Sequence, residues 1–472
     1  MTAPTAHTTL GQVDGLSIGG LAVFRGIRYA TAERFQRPRP IGPFEPGARA
    51  DRFGPQCPQV PGVLEKALGS GSLPADEDCL SLNITTPACD GGARPVVVWI
   101  HGGAFVTGTA STPWYDGAAL AGRGDVVVVA VNYRLGAFGF LGTSNLGLHD
   151  QRCALAWVRA NITAFGGDPG NVTVVGESAG GASVVALVAA GADTDGPLFH
   201  RAFAMSPSIP QFRTGERAIE LADAFRAELS RPATEAGVDE VLAAQAALLA
   251  RRAGSFDSFA PAVDGELFHD SISQVCARSA IPMVIGTTRD EMRLFNAFDP
   301  AVRSLDQDGV VERLRRSFGD AAGEVYELYQ RHRPSETAPQ LLSAVQTDHT
   351  FRAPAWRLVD ERATGGNATW MYWFTWQSPV LGGAFGACHG LDIPFLFHNL
   401  DQPGVSGFAG DGADRVPVAD RFSAALIDFA RRGDPGWPAV SVGSRPTLCL
   451  GAEATVVEDP EPELRALWER RA

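Results

Sequence analysis

One short stretch, Gly176-Glu-Ser178-Ala-Gly180, has the residue types of a nucleophilic site. The β-branched run from Val172 to Val175 predicts a buried strand before it, and apolar residues recur at helical spacing after it. A serine on a sharp turn from strand to helix is lifted clear of the sheet, and the flanking glycines let the chain pass closely on either side. The helix directs its N-terminal N–H groups at the serine, which favours negative charge there. The alternative interpretation is an ordinary glycine-rich loop with a capping serine.

A serine hydroxyl attacks a carbonyl group only when a base takes its proton, and that base is usually histidine. Where the nucleophile lies on such a turn, the acid and then the histidine follow it in the chain. His389 lies in Gly386-Ala-Cys-His-Gly, after a clearly predicted strand, and is the preferred base. His398 is the second choice. His332 and His349 lie in polar helical surroundings that are typical of a solvated surface.

The carboxylate that holds the imidazole should follow the strand predicted at residues 281–287. Asp290 and Glu291 both follow that strand, and their positions alone do not separate them. Asp264, in Val-Asp-Gly, is a third candidate, although this context is more typical of a turn aspartate. The residues themselves leave this choice open.

Negative charge that develops on a carbonyl oxygen needs backbone amide donors that no side chain obstructs. His101-Gly102-Gly103-Ala follows the strand predicted at residues 95–100 and has the composition of such a donor loop. Together with the residue after the serine, it would supply the amides of Gly102, Gly103 and Ala179. The alternative, a plain glycine turn, is weakened because the glycine pair and the serine turn occur in one chain in the expected order.

The elements around these residues alternate between strand and helix. Strands are predicted at residues 95–100, 125–134, 172–175, 201–206, 281–287 and 369–376, with a helix such as 150–161 between neighbouring strands. This rhythm predicts an α/β protein with a mostly parallel sheet flanked by helices. No linker or repeat is visible, so we expect one domain over residues 1–472, with helical insertions at about 209–260 and 298–362 that cap the site.

The composition limits the partners and the cofactors. The formal net charge of −13 over 472 residues disfavours nucleic acid and anionic membranes as partners. No apolar run is long enough to span a bilayer, and the first residues lack the features of a secretory signal, so we expect a cytoplasmic protein. The seven cysteines form no Cys-x-x-Cys pair, and no His-Glu-x-x-His or P-loop pattern occurs. We therefore expect neither a metal nor an organic cofactor.

Further motifs extend over nearly the whole chain. They include Phe24-Arg-Gly-Ile-Arg-Tyr-Ala, Glu77-Asp-Cys-Leu, Trp99-Ile-His-Gly-Gly-Ala-Phe, Asn132-Tyr-Arg-Leu-Gly, Phe165-Gly-Gly-Asp-Pro-Gly-Asn-Val, Gly286-Thr-Thr-Arg-Asp-Glu and His389-Gly-Leu-Asp. In this order they resemble the type-B carboxylesterase family, which includes bacterial para-nitrobenzyl esterases and the cholinesterases. The resemblance implies the α/β-hydrolase fold.

The resemblance also implies roles that the residues alone left open. It selects Glu291 as the acid, and it makes Glu177 and Asp392 acidic neighbours of the histidine in a buried hydrogen-bond network with Ser206. The family commonly has glycine where this chain has Met292, so this side chain would narrow the space near the acid.

Two sets of side chains bear on the surroundings of the site. Cys57 and Cys79 match a pair that many relatives join by a disulfide, and in a protein without an export signal we expect them to stay reduced. Single aromatic residues more often belong to the core than to a pocket, but four of them are candidates for the pocket wall: Phe105, Trp114, Phe138 and Phe385.

Together these features predict a serine carboxylesterase that hydrolyses small-molecule esters through an acyl-enzyme. Ser178 would be the nucleophile, His389 the base and Glu291 the orienting acid. One alternative is a non-catalytic, cholinesterase-like binding protein, and another is an amidase or lactonase with the same residues. The sequence does not define an oligomeric state.

Overall fold

The computed structural model describes residues 3–60, 73–191, 193–252 and 257–471, so residues 253–256 of the first predicted insertion lie outside it. The strands of the described residues are β1 Thr5–Thr8, β2 Gly11–Asp14, β3 Leu16–Ile18, β4 Leu21–Arg28, β5 Ala30–Thr31, β6 Arg39–Pro40, β7 Ser81–Thr86, β8 Arg94–Ile100, β9 Val127–Val131, β10 Gly167–Glu177, β11 Arg201–Met205, β12 Met283–Thr288, β13 Thr369–Phe374, β14 Pro446–Leu450 and β15 Ala454–Glu458.

Eleven of these strands form the central sheet, in the order β15-β14-β13-β12-β11-β10-β8-β9-β7-β4-β3. Neighbouring strands from β14 to β9 are parallel, and the strands at both ends pair antiparallel. The prediction of a mostly parallel sheet is confirmed. All seven residues of β8 are buried, as expected for a parallel strand that is covered on both faces.

Helices cover the two faces of the sheet. They are Ala118–Gly124, Gly136–Phe140, Leu146–Asn161, Ala179–Ala190, Gly215–Arg226, Val238–Arg251, Ile272–Ala277, Arg293–Asn296, Pro300–Arg303, Gln307–Phe318, Ala322–His332, Ala338–Thr347, Ala353–Thr364, Ile393–Leu396, Ser406–Ala409, Arg415–Arg432 and Pro462–Glu469. Across the described ranges, none of them combines the length and the apolar composition that crossing a bilayer requires.

The alternation of side chains along β8 separates two hydrophobic cores. Val96, Val98 and Ile100 point into one core, which includes apolar residues of the helix Ala179–Ala190. Val97 and Trp99 point into the other core, which includes residues of the helix Arg415–Arg432. A packed hydrophobic core on each face thus holds the parallel strands in place. The candidate site lies at the carboxyl ends of these strands.

The two predicted insertions are helical. The first contains the helices Gly215–Arg226 and Val238–Arg251, and the second runs from Pro300 to Thr364. The second insertion also contains one π-helical turn at Asp348–Arg352. Pro354 lacks the N–H group that would bond four residues back, which explains why the regular α-helical pattern is interrupted before it.

Candidate active site

Ser178 lies between the end of β10 and the helix Ala179–Ala190, with backbone angles φ 59° and ψ −120°. A positive φ is rare for a residue with a side chain, so the turn is strained. A Cβ atom at Gly176 would lie 2.4 Å from the carbonyl oxygen of Gly180, and one at Gly180 would lie 2.0 Å from that of Ile100. The sequence-based explanation of the two glycines is therefore confirmed: neither position has room for a side chain.

His389 and Glu291 are in direct contact with each other. His389 Nδ1 lies 2.5 Å from Glu291 Oε2. The other carboxylate oxygen, Oε1, accepts hydrogen bonds from Ser206 Oγ at 2.6 Å and from the amide of Thr288 at 2.8 Å. Glu291 and Ser206 are fully buried, and His389 is 6% exposed. The carboxylate of Glu291 is thus fixed by two donors while it faces the imidazole.

The alternative candidates lie elsewhere. The carboxylate of Asp290 accepts from Arg333 and from the amide of Ala387. Asp264 accepts from Asn145 Nδ2 and from backbone amides of its own turn. His398 Nε2 is 2.9 Å from Asp420 Oδ1. Of the two neighbouring acids that the residues alone left open, only Glu291 contacts the imidazole of His389.

Two further carboxyl groups, those of Glu177 and Asp392, lie close enough to the imidazole for their charges to act on it. Glu177 Oε1 lies 3.2 Å from His389 Nε2. This contact is an ion pair rather than a hydrogen bond, because Glu177 Oε1 receives no hydrogen bond from the described residues. Asp392 accepts a hydrogen bond from Tyr372 Oη at 2.9 Å.

The protonation of this cluster follows from burial and from mutual charge. Burial opposes a charged imidazole, but the carboxylates of Glu177 and Glu291 outweigh burial and raise the pKa of His389 to about 9. Burial raises the pKa of Glu177 to about 7, against the lowering effect of His389. Burial also holds the pKa of Asp392 well above its usual range. The imidazole is therefore stabilised as a cation.

A cavity of about 730 Å³ brings the predicted residues together, since Ser178, His389, Gly102 and Gly103 all line it. Gly102 follows β8 directly, and a Cβ atom there would lie 2.8 Å from the carbonyl oxygen of Glu177. Gly103 has φ +109°, and a Cβ atom there would lie 2.2 Å from the carbonyl oxygen of Thr107. The bare glycine loop and the serine turn therefore approach more closely than side chains would permit. Ala179, the third predicted donor, is the first residue of the helix after Ser178.

Both insertions contribute to the wall of this cavity. Pro210 and Gln211 come from the first, and Gln346, His349 and Phe351 from the second. His349 is exposed, as predicted, and it also lines the cavity and stacks on Trp468 with ring centroids 5.4 Å apart.

Sequence reasoning missed Phe351, whose ring centroid lies 4.8 Å from that of His389. It lies in the π-helical turn, so a helical wheel with regular spacing misplaces it. The proline at 354 was the available signal. Met292 also lines the cavity, as expected from its position after the acid.

The remaining single-residue predictions had mixed outcomes. Trp114 lines the cavity, whereas Phe105 and Phe138 are buried in the core and pack against Phe140 and Phe35, respectively. Phe385 packs against Phe408, which itself lines the cavity. Cys57 and Cys79 are buried free thiols.

An imidazole that is held by a buried carboxylate lines the same cavity as a strained and partly exposed serine, and these are the groups that proton removal from a hydroxyl group uses. The adjacent glycine loop offers amides to an oxygen that gains negative charge. The chemistry for which this geometry is suited is acyl transfer.

Comparisons with known proteins agree with this geometry. The model of the carboxylesterase family matches residues 2–455. The para-nitrobenzyl esterase of Bacillus subtilis (strain 168) is 38% identical, and the match covers 98% of each protein. The phenmedipham hydrolase of Pseudarthrobacter oxydans is 37% identical, with 97% of each protein covered.

Among solved structures, carboxylesterase EST55 of Geobacillus stearothermophilus is 36% identical and superposes with a TM-score of 0.86, over 98% of this chain and 99% of that one. The central sheet with its flanking helices is therefore the α/β-hydrolase fold. The protein is therefore, as predicted, an enzyme that hydrolyses carboxylic esters. The chain belongs to the carboxylesterase family.

Proposed function

We propose that this carboxylic ester hydrolase works through an acyl-enzyme on Ser178, with His389 as general base and acid and Glu291 as the orienting carboxylate. The observation that carries the proposal is the 2.5 Å contact between His389 Nδ1 and Glu291 Oε2, in the cavity that Ser178 also lines. A carboxylate on Nδ1 directs the basic nitrogen Nε2 away from itself, and it stabilises the imidazolium that forms during the reaction.

In the first half of the reaction, Ser178 Oγ bonds to the ester carbonyl carbon while His389 Nε2 takes the hydroxyl proton. The carbonyl oxygen becomes an oxyanion, for which the amides of Gly102, Gly103 and Ala179 are the proposed donors. The bond between the carbonyl carbon and the alkoxy oxygen then breaks. The alcohol leaves with the proton from His389.

In the second half, water gives a proton to His389 and its oxygen bonds to the acyl carbon. The bond from that carbon to Ser178 Oγ breaks, and the serine regains its proton. The products are the acid and the free enzyme. Glu177, Ser206 and Asp392 are proposed to hold the charges around the imidazole, since Ser206 fixes Glu291 and Glu177 lies beside Nε2.

The proposed substrate is a small uncharged ester, and no cofactor enters any step. We further propose that the protein acts in the cytoplasm and binds neither nucleic acid nor membranes, which the net charge of −13 supports. Amides and lactones contain a carbonyl group that the same residues could attack. A matched ester and amide with the same acyl group would separate these activities.

The decisive experiment compares Ser178→Ala with Ser183→Ala on a p-nitrophenyl ester. Ser183 lies in the helix that follows Ser178 and binds Gln151, so its loss removes a buried hydroxyl group without touching the cavity. We expect Ser178→Ala to lose roughly 10⁴- to 10⁶-fold in kcat. Ser183→Ala should keep turnover near that of the native protein.

Intact-protein mass spectrometry after rapid quenching should detect one acyl group on the native protein and none on Ser178→Ala. An acyl group on another residue, or full turnover by Ser178→Ala, would refute the assignment.

A further inference from the structure

Asp290 precedes the proposed orienting acid, yet its carboxylate faces away from the imidazole. Oδ2 accepts a hydrogen bond from the amide of Ala387 at 2.9 Å, and Oδ1 accepts one from Arg333 at 2.8 Å. The amide of Asp290 in turn donates to the carbonyl oxygen of Ala387 at 2.9 Å. Asp290 therefore both accepts a hydrogen bond from Ala387 and donates one to it, and Ala387 lies two residues before His389.

The same two segments touch again at the histidine. The amide of His389 lies 3.4 Å from the carbonyl oxygen of Glu291, next to the side-chain contact between these residues. The turn that carries the acid and the loop that carries the base thus run side by side. Asp290 binds the loop at the point where it enters this contact.

The loop is shaped to fit against Asp290. Gly386 has φ +57°, and a Cβ atom there would lie 2.5 Å from Asp290 Oδ2 and 2.8 Å from a guanidinium nitrogen of Arg293. A glycine is therefore required where the loop passes the carboxylate.

The charge of Asp290 is compensated from outside the loop. Its side chain is 1% exposed, and that of Arg333 is fully buried. Arg293 Nε and Arg289 Nη1 approach the carboxylate at 3.6 and 3.8 Å. Arg333 directly follows the helix Ala322–His332, so the second insertion supports the position of this carboxylate.

We propose that Asp290 is a positioning residue that clamps the 386–389 loop onto the turn carrying Glu291, and that it thereby sets the place of the imidazole. This inference rests on the proposed function, because it assigns Asp290 a task in the same reaction. Asp290 acts through the backbone of Ala387 and makes no contact with substrate.

The test compares Asp290→Ala with Asp290→Asn. Alanine removes both acceptor oxygens. Asparagine keeps one acceptor oxygen, so it can accept from either the amide of Ala387 or Arg333 but not from both as the carboxylate does. A displaced catalytic group costs rate rather than substrate affinity, so we expect kcat of Asp290→Ala to fall roughly 100-fold, with KM within about twofold of the native value. Asp290→Asn should lie between the two proteins.

Crystal structures of the two variants give a reading that does not depend on turnover. In Asp290→Ala, residues 387–389 should shift and the distance between His389 Nδ1 and Glu291 Oε2 should increase. In Asp290→Asn, the shift should be smaller.

The control is Asp150→Asn, which weakens another fully buried carboxylate that binds Arg134 through both oxygens. It should lower the midpoint of thermal unfolding while kcat stays near the native value.

A native kcat in Asp290→Ala, or an unmoved loop in its crystals, would overturn the proposal. If Asp290→Ala does not fold, Asp290→Asn decides, because a native kcat there also overturns it. Native protein without esterase activity would refute the proposed function, whereas the loop position in the Asp290→Ala crystals would still test the clamp.

Discussion

At the scale of single residues, the protonation of His389 is set by its neighbours. The imidazole is buried, which alone would keep it neutral, but Glu177 and Glu291 raise its pKa to about 9. A general base must be neutral to accept a proton. Because the pKa of Glu177 is raised to about 7 and its carboxylate lies 3.2 Å from the imidazole, we expect the two groups to titrate as a coupled pair between neutral and alkaline pH.

Glu177→Gln should move the pH profile of kcat/KM. In the native protein the profile should rise as His389 loses its proton, with a midpoint at a pH of about 9. Glutamine removes the negative charge beside Nε2, which destabilises the imidazolium and lowers the pKa of His389. The rise in kcat/KM therefore moves to lower pH. Since kcat/KM reports the free enzyme, its profile measured from pH 5 to 10 checks this shift.

The control for this shift is Glu77→Gln, which removes a carboxylate that binds Arg34 away from the cavity. Its profile should coincide with that of the native protein. An unchanged midpoint in Glu177→Gln would mean that Glu177 does not set the pKa of the imidazole.

At the scale of elements, the turn from β10 into the helix Ala179–Ala190 brings backbone segments so close together that no side chain fits between them. Gly180→Ala would bring a Cβ atom to 2.0 Å from the carbonyl oxygen of Ile100, and a backbone atom in the central sheet cannot move aside cheaply. We expect a loss of roughly 3–5 kcal/mol in the free energy of unfolding, or no folded protein. Urea unfolding followed by circular dichroism measures this loss.

Gly122→Ala is the matched control. Gly122 is exposed in the helix Ala118–Gly124, and a Cβ atom there would meet no atom within 4 Å. Alanine should therefore stabilise the protein by about 0.5–1 kcal/mol, because it restricts the unfolded chain and favours the helix. Similar changes in both variants would mean that the close approach at Gly180 does not limit stability.

The elements that position the site could be predicted from the sequence because their signals are local. β8, β10 and β12 each contain a short run of apolar, mostly β-branched residues, and each such run is a signal that is complete within a few residues. β15 was not predicted, since all five of its residues are exposed and no alternation marks it. The helix Pro462–Glu469 was also missed.

Other features depend on the direction in which a side chain points, and the order of residues in the chain does not record that direction. Asp290 and Glu291 are neighbours on one turn, and the path of the backbone decides which carboxylate meets the imidazole. Without the family resemblance, the residues could not make that choice. The clamp on Ala387 is likewise invisible in the sequence, because it joins two residues that are 97 positions apart in the chain.

At the scale of the whole molecule, charge should select among substrates. The chain has a formal net charge of −13. Among the described residues that line the cavity, Glu177 and Asp257 are acidic and none is lysine or arginine. Asp257 is paired with Arg217 and Arg252. The imidazolium of His389 offsets one of the two carboxylates that it contacts, Glu177 and Glu291, so above a pH of about 7 the balance of charge beside the serine stays negative. An ester that carries its own carboxylate should therefore be repelled as it enters.

The mono-p-nitrophenyl ester of glutaric acid and its methyl-capped counterpart test this selection, since they differ by one charge at nearly equal size. We expect kcat/KM to be roughly tenfold higher for the capped, neutral ester at low salt, which corresponds to about 1.4 kcal/mol. The difference should shrink between 10 and about 500 mM NaCl, because the screening length falls from about 30 Å to a few ångströms. Equal rates for the two esters at low salt, or a preference for the charged one, would show that the acidic groups around the cavity do not govern which esters reach the serine.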